Sequence, residues 1–361
     1  MQLKDVCKIN MGQSPDSRSY NENGDGIPFY QGNADFGERY PVTRVWCNAP
    51  KKTAETGDIL ISVRAPIGAL NYANEKCCIG RGLAAITPNM EMVSSDLLFW
   101  LLKGKNEELN RKGTGSTFKA IGKKALEEIA VPNISLETQK KYAKTLEKIY
   151  AIMQSRKHEL RTLDELIKAR FVEMFGDPEI NPNGWEQVTL NDVCLSIVRG
   201  PFGSALKKEF FVEPNETTYK VYEQKHAIQK SATIGTYYIT SEKYQELKRF
   251  ECVAGDILMS CSGTMGELYQ LPTDCERGII NQALCKFTLN DKILPICFLE
   301  YMKHTIGKLE TKGSGIKNIA AVSYVKAMPI NLPPISIQNK FADFVKEVDK
   351  SKFVVPNIED T

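Results

Sequence analysis

From Thr138 to Phe175 the chain carries no proline and no glycine. Apolar or long side chains recur there at Tyr142, Leu146, Ile149, Met153, Arg156, Leu160, Leu163, Ile167, Arg170 and Met174, in steps that alternate between four and three. That is the 3.5-residue spacing of a coiled-coil seam. It predicts one helix of roughly 57 Å at 1.5 Å rise per residue. Gly176-Asp177-Pro178 supplies the stop, and Asn181-Pro182-Asn183-Gly184-Trp185 leads onward. A helix packed only on a globular core is the alternative, but the unbroken 3.5 period favours a spacer. Phe341, Val345 and Val348 repeat the register in a second, shorter helix, Ile337 to about Phe353, which stops at Val354-Val355-Pro356. Two such helices would pair antiparallel, and the shorter cannot cover the longer. The seam near Tyr142 to Ile149 is therefore left for another chain. Arg156 and Arg170 occupy positions where an apolar side chain would pack better. They can fix register or meet a partner, or snorkel to solvent.

The segments on either side of the spacer are two copies of one pattern. Leu3-Lys4-Asp5-Val6-Cys7 returns as Leu190-Asn191-Asp192-Val193-Cys194. Gly57-Asp58-Ile59-Leu60-Ile61-Ser62, with Gly68, returns as Gly255-Asp256-Ile257-Leu258-Met259-Ser260, with Gly266. Lys112-Gly113-Thr114-Gly115 returns as Lys312-Gly313-Ser314-Gly315, and Gln139 as Gln338. The offset grows along the chain, so the second copy carries an insertion near its start. Each copy reads as strands followed by a helix. Strands are expected at Ile27–Tyr30, Val42–Trp46 and Ile59–Val63, and a helix from about Ser95 to Asn110. In the second copy the same elements fall at Ile257–Ser260 and near Phe298 to Leu309. Glycine-rich loops follow, 113–117 and 313–315. The fold class is thus α/β: two tandem α/β globules separated by long helices that pair as an antiparallel coiled coil. The expected division is 1–136 for the first globule, 137–176 for the spacer helix, 177–335 for the second globule (177–185 a linker) and 336–361 for the distal helix and tail.

Composition changes this picture little. With 361 residues, 42% hydrophobic and 25% charged, the chain suits two ordinary domains. It opens on Met1-Gln2-Leu3-Lys4-Asp5 and contains no apolar run of roughly 18 residues, so neither an export signal nor a membrane span is expected. Ten cysteines include no Cys-x-x-Cys pair, and Cys261, Cys285 and Cys297 lie in apolar surroundings. They are expected to be reduced and structural, in a cytoplasmic protein. With only His158, His226 and His304, no metal site is expected. The net charge of +3 decides nothing, because local patches supply phosphate contacts.

Two similar but non-identical globules on a rigid spacer suit the reading of two short words at a set separation. Duplex DNA offers such words, about 3.4 Å per base pair, with successive helical turns on one face. Here the chain resembles the specificity (S) subunits of Type I restriction–modification systems over essentially its whole length. The resemblance rests on the two Gly-Asp-Ile-Leu segments with Gly68 and Gly266, and on Arg199-Gly200-Pro201-Phe202-Gly203-Ser204. It rests also on Gly113-Thr114-Gly115-Ser116-Thr117, Phe175-Gly176-Asp177-Pro178 and the proline-rich leads into Gln139 and Gln338. Order and duplication carry it, not any single motif. The short distal helix departs from the family pattern and puts full helix pairing in question.

The resemblance implies a non-catalytic subunit whose two target-recognition domains each read half of a split, asymmetric site on double-stranded DNA. Its helices would set the spacing and dock methyltransferase (modification) subunits, and restriction (nuclease–translocase) subunits would join them. S-adenosylmethionine and ATP would then belong to the partners, with no cofactor in this chain. In keeping with that, there is no Gly-x-x-x-x-Gly-Lys-[Ser/Thr] phosphate loop. Asn331-Leu332-Pro333-Pro334-Ile335 has the wrong order for an adenine methyltransferase, and Glu246-Leu247-Lys248 is too short to mark a nuclease. The alternative is a pseudo-dimeric protein-interaction scaffold without DNA binding.

Base reading needs side chains that match edge donors and acceptors. Gln13, Ser14, Arg18 and Tyr20 are candidates in one loop, and Ser204, Lys207 and Lys208 in its counterpart. Arg64 and Arg81 flank predicted strands. Lys112, Ser116, Thr117 and Lys119, repeated as Lys312, Ser314, Lys317 and Asn318, join flexible backbone to basic and hydroxyl groups that suit phosphate. The alternatives are an ordinary solvated loop for the first loop and its counterpart, a surface salt bridge for Arg64 and Arg81, and a plain glycine-rich turn for the last group, where duplication favours contact.

Overall fold

Every side chain of Ile59–Ser62 is buried, as a strand covered on both faces requires. Alternate side chains point to opposite faces: Ile59 and Ile61 enter one core with Leu98, Phe99 and Leu102, while Leu60 enters another with Tyr30, Cys77 and Ile79. The strand sits inside a four-stranded antiparallel sheet in the order Cys7–Met11, Leu83–Pro88, Ile59–Ser62, Leu70–Tyr72. Behind it a second sheet pairs Ile27–Tyr30 in parallel with Cys77–Ile79 and carries Thr53–Ala54 and Trp46–Cys47 beside them.

The computed structural model describes residues 1–115, 119–202, 205–306, 311–312, 318–319 and 322–353. It divides into two units, Met1–Ser155 and Arg156–Thr361. The second unit repeats the strand order of the first: Cys194–Arg199, Leu284–Leu289, Ile257–Ser260, Leu268–Gln270. Tyr219–Tyr222 again runs parallel to Gly278–Ile280, with Glu251–Cys252 alongside. Ile257 and Met259 face one core and Leu258 another, so the repeated motif fills the repeated place. Helices Gln224–Ile228 and Ser241–Glu246 occupy the span between Tyr222 and Glu251, which accounts for part of the drifting offset.

Three expected elements differ. In place of a strand over Val42–Trp46, only Trp46–Cys47 pairs. The preceding residues form a loop pinned by a Tyr30–Thr43 hydroxyl contact of 2.7 Å and by Arg44 against Ala34 and Asp35. Isolated backbone bonds, Phe29 N–H to Val45 and Val42 N–H to Asp35, stand beside these side-chain contacts in place of a continuous ladder. The helix expected over Ser95–Asn110 breaks at Lys105 into Ser95–Gly104 and Asn106–Lys112. The bend brings the Asn110 amide to the Ile67 carbonyl at 2.9 Å. The helix expected from Phe298 instead begins at Pro295 and runs to Thr305, since proline suits the first helical position, where its missing N–H costs nothing. The loop 313–315 lies outside the described residues.

All ten cysteines are free, and eight are buried. Burial pushes the Cys77, Cys78, Cys194 and Cys297 thiols up to about 12, which suits inert packing groups. Among the described residues, no helix is long and apolar enough to cross a membrane.

The spacer helix runs Leu136–Phe175. Within the first unit it turns Ala143 inward, pairs Glu147 with Arg39 and sets Tyr150 against Trp100, ring centroids 5.1 Å apart. Tyr142, Leu146, Ile149 and Met153, on an adjacent flank of the helix, are exposed. Within the second unit Ile167, Phe171 and Phe175 are buried. The distal helix, Ile335–Phe353, runs antiparallel to this part: Phe341 meets Phe171 and Phe175, Arg170 lies over Phe344, and Lys352 reaches Asp164. Phe341, Val345 and Val348 all face the core, with Leu163 partly buried against it. The buried face departs from the sequence-derived seam, which ran through Arg170 and Met174. A straight helix has 3.6 residues per turn, so a strict 3.5 spacing drifts around it, and packing settles on Phe171 and Phe175.

Each long helix is fastened to its globule by the same residue. Gln139 accepts from the Ser94 N–H and donates to the carbonyls of Met92 and Ile134, at 2.8 to 3.0 Å. Gln338 makes the equivalent three bonds to Leu294, Lys292 and Pro333. At the far end of the spacer, the Gly176 N–H bonds the Val172 carbonyl at 2.9 Å with φ +78°, a left-handed helix cap. A Cβ there would come within 2.6 Å of the Pro182 ring. Gly176→Ala is expected to destabilise the chain by at least about 1–2 kcal/mol from backbone conformation alone, measured by urea denaturation.

Candidate nucleic-acid interface

In the first unit, strand ends distant in sequence meet where glycine allows close approach. A Cβ on Gly12 would stand 2.2 Å from the Gly80 carbonyl oxygen, and one on Gly82 2.4 Å from that of Gln31. The Gly80 N–H donates to Tyr30 and the Gly82 N–H to Gln31. Arg81 projects from between these glycines, and its own N–H donates to Ser14 Oγ at 3.3 Å. Across from it, the turn after Ile59–Ser62 is held by buried Ser62, whose Oγ donates to the carbonyls of Arg64 and Pro66 at 2.8 and 2.9 Å. The Ala65 N–H bonds the Lys119 carbonyl at 3.0 Å. Gln31, Asn33, Arg64 and Arg81 together line a cleft of about 220 Å³.

Four groups of sequence candidates therefore gather at one place: Gln13 and Ser14, Arg64, Arg81, and Lys119. Arg18 and Tyr20 of the same loop are already engaged. Arg18 bonds both oxygens of Asp16, which holds that carboxyl below its ordinary value. Tyr20 stacks on Phe29 at 4.6 Å and donates to the Pro15 carbonyl. Lys112 shares Glu108 with Lys105, and their hydrogen bonds pull that carboxyl down to about 2. Ser116, Thr117, Ser204, Ser314 and Lys317 lie outside the described residues. Lys312 and Asn318 fall in a pair of two-residue strands, Thr311–Lys312 and Asn318–Ile319.

The second unit builds the same cradle from other side chains. A Cβ on Gly200 would stand 1.9 Å from the Asn281 carbonyl oxygen. The Gly200 N–H bonds Leu284 as that of Gly12 bonds Leu83, and the Asn281 N–H bonds Tyr222 as that of Gly80 bonds Tyr30. Gln282 thus stands where Arg81 stands, Glu223 where Gln31 does, and Ser262 where Arg64 does. Arg199 reaches the Gln282 carbonyl at 3.4 Å and lies 5.1 Å over the exposed Phe202 ring. Lys207 pairs with Glu209, and Lys208 begins the short turn Lys208–Phe210. Gln31, Asn33 and Gln282 were not singled out from sequence; only the strand order, through the Gly80–Tyr30 and Asn281–Tyr222 bonds, brings them to these places.

A family model described as the Type I restriction modification DNA specificity domain matches residues 1–163 and again 182–354. Over 161 residues the chain is 45% identical to a protein provisionally named as the type I restriction enzyme MjaX specificity subunit of Methanocaldococcus jannaschii, covering 45% of this chain and 38% of that one. Over 238 residues it is 27% identical to the type I restriction enzyme MjaIX specificity subunit of the same organism, covering 58% and 54%. The matches thus span about half or less of these relatives' lengths. The crystal structure of the Type-I restriction-modification system S subunit from M. genitalium aligns with 98% of this chain and 89% of its own, at 14% identity and a TM-score of 0.50. That similarity concerns the fold.

Proposed function

The chain belongs to the family of Type I restriction modification DNA specificity domains, and from that premise we propose that it is the non-catalytic subunit that recognises DNA and assembles the complex. The observation that carries this reading is the duplicated cradle: one backbone frame, Gly12 with Gly80 and Gly200 with Asn281, presenting different side chains. Residues 1–136 and 177–335 act as two target-recognition domains, each reading one half of a bipartite site on double-stranded DNA. Residues 137–176 and 336–361 set the gap between the halves and dock methyltransferase subunits, with restriction subunits joining them. Exposed Tyr142, Leu146, Ile149 and Met153 offer such a partner an apolar stripe, with Arg156 and Leu160 continuing the seam. Gln13, Ser14, Arg64, Arg81 and Lys119 line the first DNA surface, and Lys207, Lys208, Lys312 and Asn318 belong to the second. S-adenosylmethionine and ATP act on the partner subunits, in the cytoplasm.

Phosphate neutralisation releases counterions, so affinity must fall with salt. The chain with its methyltransferase subunit is expected to lose roughly a thousandfold or more in duplex affinity between about 50 and 200 mM salt, measured by fluorescence anisotropy. DNA affinity that is absent, or that ignores salt, would favour a scaffold acting on proteins alone.

A further inference from the structure

Residues 1–155 contain six arginines. Four are tied to carboxylates: Arg18 to Asp16, Arg39 to Glu147, Arg44 to Asp35 and Arg111 to Glu107. The other two, Arg64 and Arg81, are exposed, have no carboxylate partner among the described residues, and line one cleft. Their backbones are fixed by Ser62, Ser14 and the Ala65–Lys119 bond, while their guanidinium groups remain uncommitted. A planar guanidinium fork carried on a fixed backbone suits a planar pair of acceptors. On DNA those are the phosphate oxygens or the O6 and N7 of guanine in the major groove.

Two observations separate the choices. The cleft's other polar side chains include Gln31 and Asn33, neutral amides of the kind that match base edges, and no lysine is among the described residues that line it, Lys119 meeting it only through its backbone carbonyl. Phosphate is the same in both halves of any site, so a phosphate contact would be wanted in both copies. The second copy keeps the frame yet places Ser262 and Gln282 where Arg64 and Arg81 stand. What differs between copies is what differs between the two words.

We infer that Arg64 and Arg81 read guanines in the half-site bound by the first globule, through O6 and N7, an inference that rests on the DNA-recognition reading above. The second globule reads its half-site with Gln282 at the matching position, an amide whose best partner is adenine. The two halves of the site are therefore unlike in composition, with the guanine-dependent word belonging to residues 1–136.

The test is selection of bound duplexes from a random-sequence pool by the full chain with its methyltransferase subunit, followed by sequencing. Wild type is compared with Arg64→Gln and Arg81→Gln, the latter installing the second copy's own residue. Both positions are exposed, and equal melting temperatures verify the fold. Wild type is expected to select a bipartite word with guanines in one half. Each variant should relax one G·C position of that half by roughly 5- to 150-fold and leave the other half unchanged. An unchanged word overturns the inference. So does affinity that falls uniformly over all sequences with the salt slope reduced by about 1, the mark of a phosphate contact. Failure of wild type to select any bipartite word would instead overturn the DNA-recognition reading itself.

Discussion

Phe341→Ala is expected to destabilise the second unit by about 3–5 kcal/mol, the range for removing a buried phenylalanine from a packed core. Phe341 is fully buried and packs edge-on against Phe171 and Phe175, with ring centroids 5.6 and 5.2 Å away. Those rings belong to the spacer helix, so the cavity opens in the contact that holds the distal helix to it. Lys352–Asp164 remains, but an exposed ion pair is worth at most about 1 kcal/mol and does not replace three aromatic rings. The melting transition of the second unit should fall by about 10 °C, at 2–4 °C per kcal/mol, in differential scanning calorimetry. Ile149→Ala on the exposed stripe should change the stability of its own unit, Met1–Ser155, by no more than about 0.5 kcal/mol. Equal effects of the two substitutions would contradict the packing described.

Gln338→Leu is the second large effect. Leucine removes an acceptor for the Leu294 N–H and two donors, for the Lys292 and Pro333 carbonyls, at a site with no solvent exposure. A buried polar group left without a partner costs about 1–3 kcal/mol, so a total near 3 kcal/mol is expected. Gln139→Leu should do the same in the first unit, because its three bonds are equivalent. Urea unfolding of each variant checks this: the affected unit loses stability while the other holds. A loss below about 0.5 kcal/mol would mean that water replaces the amide.

Gln338 falls on a duplicated position, and duplication is also why much of the fold could be read from the sequence. Ile59-Leu60-Ile61 and Ile257-Leu258-Met259 recur because each strand feeds two cores at once. The spacer helix announced itself by forty residues free of breakers. Long-range geometry was not visible in the same way. The 3.5 spacing led to Arg170 and Met174, whereas packing chose Phe171 and Phe175, one position further round the helix. Val42 to Arg44 have strand-like composition, but the Tyr30–Thr43 contact draws them into a loop. The candidate cleft shows the limit most clearly. Arg64 and Arg81 stood out by position beside strands, yet Gln31 and Asn33 join them only because the strand order brings residues 12, 31, 64 and 81 together. Nothing local marks an amide as facing a cleft rather than solvent. Arg18 and Tyr20 have suitable chemistry too, and their hydrogen bonds to Asp16 and Pro15 are contacts that sequence position alone does not show.

The central claim is that two unlike recognition domains in one chain direct modification to a split DNA site. Mapping methylated adenine across the genome of cells expressing this chain with the methyltransferase subunit encoded beside it tests that claim most directly. The account predicts a new methylated motif of two short words separated by a fixed, unspecified gap, absent when either protein is omitted. With both proteins soluble and bound to each other, a genome bearing no new motif would contradict it.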